Sequence, residues 1–103
     1  MTNTQITTKL LKIPAHDGGA FMAYVAMPVN ASAQNKIPAL ILVQEIFGVN
    51  AEMREKCENF ARRGYLAICP DLFWRIEPGI ELTDKHPEEL QQAFDLFGQF
   101  DVP

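Results

Sequence analysis

Two cysteines and two histidines in 103 residues leave little material for metal binding or covalent cross-linking. Cys57 and Cys69 form no C-x-x-C or zinc-type spacing, and His16 and His86 share no helical repeat, so neither a metal centre nor a disulfide framework is expected. Free cysteines fit a reducing, cytoplasmic location, and the N-terminus M-T-N-T-Q lacks the basic and apolar regions of a signal peptide. No apolar stretch reaches the length of a membrane span. The nine basic residues are scattered, and the adjacent pair Arg62 and Arg63 sits where a helix end welcomes cations. Nucleic-acid binding therefore has no electrostatic footprint.

The chain also lacks G-x-S-x-G and its cysteine version, the strand-to-helix turns that hold a nucleophile exposed above a sheet. Ser32, the only serine, lies in a polar stretch without flanking glycine and reads as a loop hydroxyl. Cys69 lies at a strand end but is followed by Pro70, so it reads as a buried small hydrophobe, and Cys57 falls on an apolar helix face. His16 in a turn and His86 before Pro87 carry no chemistry that their surroundings point to.

What is present is a folded core. An apolar fraction of 48% with a net charge of −4 argues for a globular chain of one domain at most. Thr7 to Ile13 and Ala20 to Met27 alternate as strands, and His16-Asp17-Gly18-Gly19 between them signals a turn, giving an antiparallel hairpin. Asn30 to Lys36 is a polar surface loop. Ala39 to Val43 is a continuous apolar run that suits a strand covered on both faces. A helix follows, with Asn50 as N-cap, Met53, Cys57, Phe60 and Ala61 as its stripe, and Gly64 as its stop. The pairs Glu52 with Lys56, Arg54 with Glu58, and Glu58 with Arg62 are spaced to support it. Tyr65 to Cys69 is the next strand, completing a βαβ crossover. The long segment Asp71 to His86 is a plausible pocket wall, and Pro87 opens a second helix with Leu90, Ala93, Phe94 and Phe97 as its stripe.

The run P-A-L-I-L-V-Q-E-I-F-G-V-N, Pro38 to Asn50, puts Glu45 directly after a strand, at the sheet end where ligands bind in open parallel sheets. Position alone leaves two readings of Glu45: a proton acceptor beside a nucleophile, or a solvated loop glutamate. Phe47 is equally a pocket residue or a core aromatic, and Phe73 and Trp74 either line the same mouth or pack on the sheet edge.

This run, together with A-E-M-R-E, R-G-Y-L-A-I-C-P-D-L-F and E-P-G-I-E-L, resembles the dienelactone hydrolases, a branch of the α/β-hydrolase superfamily, over nearly the whole chain from Leu11 to Asp101. The resemblance implies that residues 1–103 are a single partial α/β-hydrolase domain, the N-terminal half, with the nucleophile, histidine and aspartate in an absent C-terminal half. A complete member needs roughly twice this length to add the missing strands and helices. It further implies hydrolysis of small lactones or carboxylic esters through an acyl-enzyme, without cofactor or metal. Glu45 matches the glutamate that activates a cysteine nucleophile, Ile46 the residue whose backbone N–H donates to the oxyanion, and Phe47 a pocket residue. Leu90 and Phe94 fall where lactone-cleaving members carry an arginine and a tyrosine for the substrate carboxylate, so a related ester or lactone is the expected substrate. The rival expectation is a noncatalytic half-domain that pairs with itself or another chain through an open sheet edge.

Overall fold

The structure is a computed structural model that describes residues 5–31, 34 and 36–99. Six elements follow in chain order: β1 (Ile6–Pro14), β2 (Ala20–Pro28), β3 (Ala39–Ile41), α1 (Ala51–Arg62), β4 (Leu66–Pro70) and α2 (Pro87–Gln99). The strands form one mixed sheet in the order β1-β2-β4-β3. β1 and β2 are the expected hairpin, in register from Ile6 opposite Pro28 to Pro14 opposite Ala20. β4 then pairs antiparallel with β2 and parallel with β3, so one of the three pairings is the parallel ladder that the strand-helix-strand pattern predicts. Ser32, Ala33 and Asn35 of the predicted polar loop, and the connection from Phe100 onward, lie outside the described residues.

Small side chains let α1 sit close to the sheet. Met53, Cys57 and Ala61, each one turn from the next, face Ala26, Ala67 and Cys69 in a cluster that is almost entirely shielded from water. Five of the six residues are alanine or cysteine, small enough for close backbone approach, at zero exposure on the helix and both inner strands. The Asn50 side chain accepts the Met53 N–H at 3.1 Å, the capping bond the sequence anticipates. At the other end, Gly64 takes φ +99°, a left-handed conformation that ends the helix at little steric cost. Of the spaced charge pairs, Glu58 and Arg62 approach to 3.8 Å, whereas Lys56 reaches Glu45 and Arg54 reaches Glu81 instead.

Two expectations change. β3 is three residues long and forms the sheet's edge, and among the described residues its outer face is uncovered: Ile41 is 73% exposed and Val43 68%. Leu40 and Leu42 point the other way and are half-buried, Leu42 against the α1 cluster. The continuous apolar run therefore reports two faces of which only one is covered here. In α2 the buried residues are Ala93 and Leu96, while Phe94 and Phe97 are more than half exposed. Both helical faces carry apolar residues, and periodicity cannot choose between two apolar stripes offset by one position.

The reason α2 turns that face inward is a second cluster made with loops. Phe73, Ile80, Leu82, Ala93 and Leu96 bury together, with Ile46, Phe47 and Ile76 packed on them. No helix among the described residues is long and apolar enough to cross a membrane.

Candidate functional site

Beyond Ile41 the chain leaves the edge of the sheet and folds into a tight turn, Glu45 to Gly48, closed by the Gly48 N–H donating to the Glu45 carbonyl at 3.1 Å. Gly48 has φ +83°, and a Cβ there would lie 2.1 Å from the Ile80 carbonyl oxygen, so no other residue fits without moving backbone. The turn is held from both sides. Gln44 Oε1 accepts the Leu72 N–H at 2.8 Å, tying the end of the β3 segment to the residues after β4. On the far side the Leu82 N–H donates to the Phe47 carbonyl at 2.8 Å, and the Asn50 side-chain amide donates to the Leu82 carbonyl at 2.7 Å.

This frame presents three groups. The Glu45 carboxylate is solvent-facing, with a side chain 61% exposed and the Lys56 ammonium 3.9 Å away. The Ile46 side chain packs on the second cluster, so its backbone is fixed while its N–H donates to no protein acceptor among the described residues. A free, positioned N–H next to an exposed carboxylate is a usable donor for a developing negative charge. Phe47 is half-buried on the same cluster, which places it as a cluster residue at the rim of the turn.

The remaining candidates take structural places. Phe73 is 3% exposed in the second cluster, and Trp74 lies against Phe21 with centroids 5.9 Å apart. Arg75 stacks 4.3 Å over the Trp74 ring and donates to Asp17 at 2.8 Å, so this loop clamps the hairpin turn. That contact holds the Asp17 carboxyl below its ordinary range. Cys57 and Cys69 are both free and fully buried against each other, and the Cys69 thiol and burial push the Cys57 thiol well up, away from the reactive thiolate. His16 and His86 are both exposed, His86 4.0 Å from Glu89. Ser32 lies outside the described residues. No group of three or more metal-ligating side chains occurs among the described residues.

Sequence reasoning passed over Gln44, Gly48 and Asp71. Asp71 is 6% exposed and accepts the Phe73 and Gly79 N–H groups at 3.1 and 2.9 Å, which folds the long segment back on itself. Its signal was the aspartate immediately after a strand-ending proline. A cavity of about 340 Å³ lies elsewhere, between the hairpin residues Leu10, Met22 and Tyr24 and the start of α1, and Glu45, Ile46 and Phe47 do not border it.

The strand order, the parallel β3-β4 pair bridged by α1, and a carboxylate turn at the end of β3 define a protein of the α/β-hydrolase class. The dienelactone hydrolase family model matches residues 21–102, and on that match the chain belongs to the dienelactone hydrolase family. It is 52% identical over 91 residues to an Azospirillum brasilense protein named as a carboxymethylenebutenolidase, covering 88% of this chain and 38% of that protein. It is 40% identical over 95 residues to the carboxymethylenebutenolidase of Pseudomonas putida, covering 92% of this chain and 39% of the relative. Among solved structures, a Klebsiella pneumoniae protein described as a dienelactone hydrolase superposes with a TM-score of 0.65 at 34% identity, over 92% of this chain and 43% of that one. The chain thus spans about 38% of the length of the curated relatives it matches.

Proposed function

We propose that this chain contributes the electrostatic side of the active site of a hydrolase that cleaves small lactones or carboxylic esters through an acyl-enzyme. The observation that carries the reading is the Glu45–Gly48 turn, which sets an exposed carboxylate beside the free Ile46 N–H at the end of β3. In the reaction a nucleophile supplied by the remainder of the hydrolase loses its proton to Glu45 and attacks the acyl carbonyl. The carbonyl oxygen becomes an alkoxide that accepts from the Ile46 N–H and from a second donor outside this chain. As it collapses the C–O bond breaks, the leaving oxygen takes the proton held by Glu45 and departs as the alcohol, and water then hydrolyses the acyl-enzyme to release the acid and the nucleophile. Phe47 lines the acyl pocket from its place on the second cluster. No step calls on a cofactor or metal.

Residues 1–103 form a partial domain on this reading, and the two buried free thiols support a reducing, cytoplasmic setting. Leu90 is half-buried and Phe94 exposed on α2, and neither offers the charge that would grip a substrate carboxylate, which favours a neutral ester or lactone. Intact-mass analysis of the complete hydrolase, quenched during turnover of a short p-nitrophenyl ester, tests the reading. The acyl group is expected on a peptide outside residues 1–103. An acyl group on Cys57, Cys69 or Ser32 would overturn it.

A second reading rests on the uncovered β3 edge, where Ile41 and Val43 are exposed: the chain acts as a noncatalytic half-domain and pairs through that edge with another copy. Sedimentation of the 103-residue chain at increasing concentration checks it, with a dimer broken by Ile41→Lys as the expected result and a monomer throughout as the contrary one.

A further inference from the structure

Asn50 is buried, at 6% exposure, and hydrogen-bonded at both ends of its amide. Capping α1 requires only an acceptor, and serine, threonine or aspartate caps as well. The side chain does a second job: while Oδ1 accepts the Met53 N–H at 3.1 Å, the amide nitrogen donates to the Leu82 carbonyl at 2.7 Å. The Leu82 N–H in turn donates to the Phe47 carbonyl. Both backbone groups of Leu82 are therefore spent on the residues that follow Ile46. The same strip is pinned by Arg54, which donates to the Val49 carbonyl at 3.1 Å and to Glu81, and by the Gly48 backbone pairing with Glu81. Ile46 itself packs on the second cluster, to which Ile80 and Leu82 belong.

We propose that Asn50 is a positioning residue for the oxyanion donor: its side chain staples the Leu82 carbonyl to the α1 cap and thereby sets where the Ile46 N–H points. This rests on the reading of the turn as part of the active site. A donor aimed at a developing alkoxide must be held within a few tenths of an ångström, and a backbone donor can be held only by fixing the chain on either side. Gln44 fixes the side before Ile46, through Leu72. After Ile46 the fixing bond comes from Asn50, beside the Arg54–Glu81 ion pair on the same strip.

The test uses the complete hydrolase and a neutral p-nitrophenyl ester. Asn50→Ser keeps an acceptor for the Met53 N–H but is too short to reach Leu82, and Asn50→Asp keeps the full-length acceptor while losing the donor. Either variant is expected to lower kcat about 10- to 100-fold while KM stays within about threefold, because a misaimed donor is missed in the transition state and not in ground-state binding. Tyr24→Phe, which removes a bond of similar worth from the first cluster, is expected to keep kcat, which separates aim from general stability. A folded Asn50→Ser enzyme with kcat within about twofold of the parent overturns the proposal. If neither Asn50 variant is folded by circular dichroism at the assay temperature, the residue is structural and the proposal is equally overturned. Glu45→Gln in the same assay separates the two layers. With kcat lost in Glu45→Gln and kept in Asn50→Ser, only the positioning role fails, and with kcat kept in Glu45→Gln the reading of the site fails and takes this inference with it.

Discussion

The two helices are held in different ways. α1 lies on strands, meeting Ala26, Ala67 and Cys69 through a row of residues spaced by one turn. α2 meets loops: its Ala93 and Leu96 bury against Phe73, Ile80 and Leu82, none of them in a helix or strand. The first arrangement is a rigid sheet-and-helix sandwich whose partners are fixed by backbone ladders. The second depends on the long segment after β4 being folded correctly, and that segment is folded by side-chain bonds from Asp71, Asn50 and Gln44. The candidate site belongs to the second region, since Ile46 and Phe47 pack on its cluster. The candidate site rests on loops braced by buried polar side chains, whereas the sandwich is fixed by its backbone ladders.

The sharpest way to break the comparison is Gly48→Ala. Its Cβ would fall 2.1 Å from the Ile80 carbonyl oxygen at φ +83°, so the turn and the 80–82 strip must separate. A loss of about 3 kcal/mol or more is expected, from strained backbone together with the lost cluster packing. Urea denaturation measures it, and amide exchange should show the 45–48 and 80–82 segments opening first while α1 and β4 keep their protection.

Leu96→Ala against Phe97→Ala comes next. Leu96 is 5% exposed and its truncation should cost about 2–3 kcal/mol. Phe97 is 56% exposed and its truncation should stay within about 0.5 kcal/mol. Reversed values would restore the stripe that periodicity suggested.

Tyr24→Phe probes the sandwich. It removes the bond from the tyrosine hydroxyl to Glu58 at 2.7 Å, for an expected loss of about 1 kcal/mol. Burial and the Glu58 carboxylate raise the Tyr24 pKa above its ordinary value of 10.0. The folded state then holds the phenolic proton more tightly than the unfolded one. The contribution is complete below about pH 10 and is lost as pH rises through the folded pKa, and Tyr24→Phe should flatten that alkaline slope.

Asp17→Asn should have the smallest effect, because the Asp17–Arg75 pair is exposed. Arg75 lowers the Asp17 pKa from 3.8, so the stabilisation is present above about pH 4 and lost as pH falls through the lowered value. Asp17→Asn should remove that acid slope in a pH series of urea midpoints.

The difference between the regions also decides what could be read from the sequence. Hairpin, α1 with its Asn50 cap and Gly64 stop, and the Leu66–Pro70 strand were legible because each is a local pattern with a local cause. The inward face of α2 was not, because Phe94 and Phe97 are as apolar as the residues that bury, and the choice is made by Phe73, Ile80 and Leu82, up to about a turn-rich segment away in sequence. The uncovered face of β3 was not legible either, since a run such as Ala39 to Val43 carries no record of which of its faces has a neighbour. In the site, Glu45, Ile46 and Phe47 were singled out by the family motif and by their place after a strand. Gln44 and the second bond of Asn50 join residues 28 and 32 positions apart, and no local rule connects them.

The central claim is that the turn after β3 holds the group that activates the nucleophile. Steady-state hydrolysis of a neutral p-nitrophenyl ester by Glu45→Gln in the complete hydrolase tests it most directly, since Glu45 is exposed and its substitution leaves both core clusters intact. The account predicts kcat reduced by about 10²-fold or more with an unchanged unfolding midpoint. Turnover at the parental rate from a folded Glu45→Gln enzyme would contradict it.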